Sequence, residues 1–199
     1  MTDLPRKLIT ALSDELAPEL VFGLVAPIGV DLEMVGEELS AALRKMNYLS
    51  HLIQLTQLMQ EFPMNIEIRE GPYIESMKSR IQYANEFCKK YGADALAALA
   101  VSEIRNFRER QWPDILEATP DVEAISESMA RGLKSEPLPS QSYIIRQIKR
   151  PEEVHLLRAV YGRQFVLLSA HAPPSVRRER IEDLERRSRG GAGGGRRRR

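Results

Sequence analysis

Residues 20–29, LVFGLVAPIG, form an almost unbroken apolar run that ends at Gly29. Beyond it Val35, Leu39, Ala42, Leu43 and Met46 fall on one face of a helix. The change of period at Gly29 predicts a strand buried on both faces, a glycine turn and an amphipathic helix. Asp31 and Glu33 stand where that helix begins, so they complement its positive end, and Asp31 is placed to cap it. A second short apolar segment, Tyr48 to Leu55, follows after a helix-sized gap, which gives the strand–helix–strand order of a parallel βαβ unit.

From Ile74, the residues Met77, Ile81, Ala84, Phe87, Cys88 and Tyr91 keep helical spacing, and Gly92 supplies a C-cap. The alanine-rich segment from Asp94 lacks alternation and is expected to continue as helix, although residues 95–101 also suit a buried strand. Residues 111–141 contain Pro113, Pro120, Pro137 and Pro139 and predict an irregular excursion with a short helix around Val122 to Leu133. Tyr143 to Ile148 reads as a strand, and Pro151-Glu152-Glu153 as a helix start. Val154, Leu157, Val160 and Tyr161 are the expected buried stripe of that helix, Gly162 its end, and Phe165 to Ala170 another buried strand. The segment RERIEDLERR predicts a solvated helix, and the glycine and arginine ending has too little apolar surface to fold. The organisation expected is an α/β domain over residues 1–175, a charged helical extension over 176–189, and a disordered tail over 190–199.

Charge divides along the same lines. The chain has 199 residues with 29 Lys and Arg against 28 Asp and Glu; residues 186–199 take seven of the arginines and no acid, leaving 22 basic and 28 acidic residues, net −6, for residues 1–185. The arginine ending can attract nucleic acid without sequence preference, and it says little about the body. A single cysteine, Cys88, excludes an internal disulfide framework, and with only three histidines, His51, His155 and His171, no zinc-ligand spacing exists. A reducing, cytoplasmic setting is expected, with no membrane association, because no apolar run approaches the roughly 20 residues of a span.

The turn between the first strand and its helix is the best candidate site, since the backbone of Ala26, Pro27, Ile28, Gly29, Val30 and Asp31, with its N–H groups, lies where a phosphate would meet a helix N-terminus. Against the motif G-x-x-x-x-G-K-[S/T], Gly29 matches the second glycine, but Leu24, Val30 and Asp31 replace the first glycine, the lysine and the hydroxyl. A lysine near 4 Å from a phosphate charge is worth about 4 kcal/mol at an effective dielectric near 20, and the Asp31 carboxylate adds a like charge, so ordinary phosphoryl transfer is not expected. Binding without turnover survives both objections. A tight turn that holds no ligand fits the same residues. Arg146, Lys149 and Arg150 sit at the next strand-to-helix junction and suit a phosphate clamp or a solvated helix entrance paired with Glu152 and Glu153. Arg105, Arg108 and Arg110 read as a solvent-facing helix end. The histidines are expected to be structural, and Cys88 a small buried hydrophobe.

Three blocks, FGLVAPIGVDLEMV, RIQYANEFCKKYGADALAALAVSEIRNFR and YIIRQIKRPEEVHLLRAVYGRQFVLLSAHAPPSVRRERI, resemble the N-terminal half of the anti-phage dCTP/dCMP (deoxycytidylate) deaminase family. The resemblance implies a three-layer P-loop kinase-like domain with a mainly parallel sheet, preceding a zinc-dependent deaminase domain. It matches Gly29 and Asp31 to the family's turn, and Arg146, Lys149 and Arg158 to its basic block. The chain has no H-x-E followed by P-C-x-x-C, and with one cysteine it cannot assemble the His/Cys/Cys zinc site, so deamination is excluded for it. The GGAGGGRRRR ending suggests a truncated or frameshifted reading frame or a shortened relative.

The resemblance thus implies a regulatory, nucleotide-binding module for anti-phage defence. Its expected ligand is a nucleoside triphosphate or deoxynucleotide, with or without Mg2+, without zinc and without an assigned catalytic residue. Its partners would be a deaminase domain in cis or in trans, or a second copy of itself. Two other readings fit the sequence: an active nucleoside or nucleotide kinase, and an interaction module that binds a deaminase, toxin or RNA in trans.

Overall fold

The computed structural model describes residues 17–117 and 136–191. Strands β1 (Leu20–Val25), β2 (Leu49–Gln54), β3 (Gln141–Arg146) and β4 (Phe165–Ser169) form a four-stranded, all-parallel sheet in the order β2-β3-β1-β4. The central strands β1 and β3 are covered on both faces, which is why the sequence of β1 is continuous rather than alternating, whereas edge strand β4, expected to be buried, is buried only at Phe165 and leaves Val166 exposed. Val21, Ile53, Tyr143 and Ile145 enter one core, with Phe87, Ala100, Ile104 and Leu157. Phe22, Leu24 and Ile144 enter the other, with Leu32 and Leu43. Helix α1 (Leu32–Arg44) covers this second face; a short α2 (Leu55–Leu58), then α3 (Tyr73–Tyr91), α4 (Ala95–Glu117) and α5 (Pro151–Tyr161), cover or flank the first. A final helix, α6 (Pro174–Gly191), follows β4. The protein is therefore a three-layer α/β fold. Gly23 is required inside β1: a Cβ there would lie 2.4 Å from Ile148 Cδ1 and 2.9 Å from the Phe165 ring.

Most predicted elements are present, with four departures. Strands β1 and β2 are parallel but not neighbours, because β3 lies between them. Helix α4 runs on through Pro113 to residue 117, where an irregular segment was expected from residue 111. Buried Trp112, whose indole N–H donates to the Glu136 carbonyl at 3.0 Å, anchors this end against the body, and tertiary contact outweighs the missing proline N–H. Val160 is 48% exposed, and the charged residue Glu153, 1% exposed, takes a place in the buried face of α5. Met46, expected on the apolar face of α1, lies beyond the helix end and is exposed. The short helix expected around Val122 to Leu133 lies outside the described residues.

The strand order determines where the chain leaves the sheet. After β1 it crosses β3 on the α1 face to reach β2; after β3 it crosses β1 on the α5 face to reach β4. The adjacent carboxyl ends of β1 and β3 therefore send their connections to opposite faces, and such a switch point opens a crevice where ligands bind in open α/β sheets.

Candidate functional site: the β1–α1 turn

The turn lies at that switch point. Gly29 has φ 93°, a left-handed conformation that side chains resist. Val30 N–H donates to the Pro27 carbonyl at 3.3 Å and Leu32 N–H to the Val30 carbonyl at 3.1 Å, which closes the bend. Asp31 caps α1: its Oδ1 accepts from Met34 N–H at 3.1 Å, and its carbonyl accepts from Val35 N–H at 3.1 Å. Among the described residues, the N–H groups of Ile28, Gly29 and Asp31 reach no acceptor. Ala26 is half-buried at the strand end, while Pro27 and Ile28 are exposed.

The β3–α5 junction stands beside it. Ile148 N–H donates to the Leu24 carbonyl at 3.0 Å, tying the two strand ends together. Arg146, a fifth exposed, points towards α1, with Nη1 3.6 Å from Glu33 Oε1. The start of α5 is satisfied from within: Glu153 Oε2 accepts from Lys149 N–H at 2.7 Å and Arg150 N–H at 3.1 Å. Burial raises the Glu153 carboxyl above its ordinary pKa, against those two hydrogen bonds and the neighbouring cations, and Oε1 is buried without a partner. Crowding lowers the Lys149 ammonium, with Glu153 opposing, although the residue is exposed and water limits the effect. Arg150 donates to Asn85 Oδ1 on α3 at 2.9 Å. Arg158 is exposed in the last turn of α5, about 10 Å along that helix from its start. The structure thus brings residues 26–31 together with Arg146 and the Lys149 main chain, and leaves Arg158 apart.

Helix α6 was legible in the sequence only as a charged helix, yet both its ends are docked. Arg177 covers Gly29: a Cβ on that glycine would lie 2.7 Å from the Arg177 carbonyl oxygen and 2.8 Å from its Cβ. The Arg177 guanidinium donates to the Ile28 carbonyl and to the Ala172 carbonyl, each at 3.1 Å, and Arg180 forms an ion pair with Asp31. At the far end, Glu185 Oε2 accepts from Ile74 N–H at 2.8 Å and Ser188 Oγ from Tyr73 N–H at 2.9 Å. These bonds serve the first turn of α3, whose own N-cap, Pro72, offers no side-chain acceptor. The Ile74 bond, followed by Arg189, holds the Glu185 carboxyl below its usual pKa.

The opposite edge of the sheet is closed by packing. Arg108, expected in solvent, binds Glu19 in the interior at 2.7 and 3.1 Å, with Glu19 2% exposed. Burial raises Glu19 while the guanidinium opposes it. The buried Tyr143 hydroxyl faces this pair, its pKa strongly raised by burial and by Glu19; that of Tyr161 is pushed up to about 12. His51 stacks on Phe107 with ring centroids 4.2 Å apart and meets Glu103 at 3.3 Å; burial lowers its pKa, with Glu103 opposing, and the ring serves as packing. Cys88 is buried and its thiol pushed up, which makes it inert. Among the described residues, no three His, Cys, Asp or Glu side chains gather as metal ligands, and no helix is long and apolar enough to cross a membrane.

Chemically, the crevice offers main-chain donors and a guanidinium to an anion, with Asp31 as the opposing charge. Neither the models of known protein families nor the curated protein sequences give a match to this chain.

Proposed function

We propose that the protein is a cytoplasmic, nucleotide-binding regulatory module, with a P-loop-like turn that holds the phosphates of a nucleoside triphosphate or deoxynucleotide. The observation that carries this reading is the set of N–H groups at Ile28, Gly29 and Asp31 that reach no acceptor among the described residues, at the switch point of the sheet. Arg146 supplies the cation nearest α1, and Lys149 stands at the adjoining junction. With Val30 in place of the usual lysine and a carboxylate at Asp31, the turn favours holding a ligand over transferring its phosphoryl group.

The resemblance to the N-terminal half of deoxycytidylate deaminases adds the expected ligand class and a role in anti-phage defence, with a deaminase domain or a second copy as partner. Calorimetric titration of the full chain with dCTP, dCMP, ATP and GTP, with and without Mg2+, tests the reading. Binding of at least one of them, weakened by Arg146→Ala, supports it; no heat from any of them at millimolar concentration removes it.

A further inference from the structure

On α3 the residues Lys78, Ile81, Gln82, Asn85, Glu86 and Lys89 recur at helical spacing, which brings them to one side of the helix. Together with Arg150, from the entrance to α5, they line a groove of about 500 Å3. A neighbouring hollow of about 330 Å3 shares Glu86 and Lys89 with it and extends to Lys90. Ile81 is half-buried; the rest of the lining is amides, cations and one acid.

The cations of the groove are unequally committed. Lys89 pairs with Glu86, and the Lys90 ammonium lies 4.8 Å from the centre of the Tyr91 ring. Among the described residues, Lys78 and Arg150 have no carboxylate within ion-pair distance; the Arg150 guanidinium donates instead to the neutral Asn85 Oδ1 at 2.9 Å. That bond sets Arg150 level with Asn85, seven residues and about 10 Å along α3 from Lys78. Gln82 lies between them and, among the described residues, its amide has no hydrogen-bond partner. Two unpaired cations thus frame two amides and an aliphatic side chain, on a body that carries net −6 over residues 1–185.

We infer that this groove binds an acidic peptide segment of a partner protein, which places two carboxylates three residues apart on Lys78 and Arg150. In an extended, polyproline-like segment such residues share a face and stand about 9 Å from each other, close to the interval between the two cations. The Gln82 and Asn85 amides can then meet the peptide main chain, and Ile81 an apolar side chain beside the acids. Glu86 repels a carboxylate placed beyond Arg150, which ends the acidic stretch there. A nucleic-acid strand suits the groove less: the acidic body repels a long polyanion, and among the described residues no aromatic ring lines the groove for a base to stack on. The groove shares no residue with the β1–α1 turn, so the peptide and a nucleotide have separate sites.

The test uses the full chain and fluorescence anisotropy of a dye-labelled peptide containing E-P-L-E, whose proline keeps the backbone extended. Binding is expected to weaken roughly threefold in Lys78→Ala and in Arg150→Gln, the worth of one exposed ion pair, and to weaken as salt is added. Lys78→Glu, a charge reversal at an exposed position, should weaken it further, and a thermal unfolding curve checks that Arg150→Gln is folded. Arg44→Ala, exposed at the end of α1 on the other face of the sheet, should leave binding unchanged. A peptide with glutamines in place of both glutamates should bind more weakly than the Lys78→Ala protein binds the original. No binding by wild type at millimolar peptide overturns the inference. Equal weakening by Arg44→Ala and Lys78→Ala reduces it to diffuse charge attraction and also overturns it. Tighter binding of a ten-nucleotide oligothymidylate than of the peptide, lost in Lys78→Glu, assigns the groove to nucleic acid instead.

Discussion

The two strand-to-helix junctions at the carboxyl edge of the sheet solve the same problem in opposite ways. A helix start leaves N–H groups without intrahelical partners. At β3–α5, the chain folds its own carboxylate back: Glu153, buried, takes Lys149 and Arg150 N–H on one oxygen and fills the place an external anion would have. At β1–α1, Asp31 reaches forward to Met34 and leaves Ile28, Gly29 and its own N–H unused. A junction that satisfies itself is a structural element; one that leaves donors open has capacity for a ligand, and here the charged helix α6 packs against it through Arg177 and Arg180. The lesson is that the position of one carboxylate, three residues inside the helix or at its cap, decides which junction can be a site.

The comparison breaks most readily at Glu153. Glu153→Ala leaves two part-buried N–H groups without their acceptor and a hole where a 1% exposed side chain stood, and is expected to lower stability by about 3 kcal/mol in urea unfolding; a loss under about 1 kcal/mol would falsify the internal-cap account. Next in size, Gly29→Ala combines a left-handed backbone with a collision against Arg177 and should cost about 1–2 kcal/mol. It should also loosen α6, seen as faster amide exchange at Tyr73 and Ile74; unchanged exchange there would mean that Arg177 yields without moving the helix.

Arginine substitutions sharpen the contrast between positions. Arg146→Ala is expected to weaken nucleotide binding about fivefold, the worth of a partly exposed charge contact, and Arg158→Ala to leave the dissociation constant unchanged. If both variants weaken binding alike, the ligand does not sit at the switch point.

The smallest effect is one of pH. The folded-state pKa of Glu153 is raised above its ordinary value near 4.5, so its protonation favours the fold: that contribution is fully present below the unfolded pKa and is lost as pH rises through the folded one. Glu153→Gln should flatten this part of the stability profile by a fraction of about 1 kcal/mol relative to wild type. Lys149 and Arg150 face the group in both proteins, Glu19 adds a slope of the same sign and His51 one of opposite sign near neutral pH. Parallel wild-type and variant profiles above pH 4.5 would show that Glu153 contributes none of the slope.

Much of the fold was legible because local patterns and tertiary needs agree. The apolar run to Gly29, the cap at Asp31, the Gly92 stop and Pro151 at a helix start each follow from backbone chemistry within a few residues. The order of strands was not, since nothing in residues 20–55 announces that β3 will insert between β1 and β2. Acids at a helix start also read as solvated, which hid Glu153; an arginine run at a helix end reads the same way, which hid the Glu19–Arg108 pair. The turn was recognisable from its glycine and position. Its cover was not, because α6 docks through Arg177, Arg180, Glu185 and Ser188, polar contacts that leave no periodic trace.

The central place of β1 has a bearing on synthesis. Its neighbours are supplied late: Leu20 pairs with Ser142 and Val21 with Phe165. A nascent chain emerging from the ribosome therefore carries the most apolar strand of the sheet unpaired through most of translation, and closure of such long loops makes folding slow. The native sheet can therefore begin to pair only once β3, up to Arg146, has left the exit tunnel, and is completed when β4 follows.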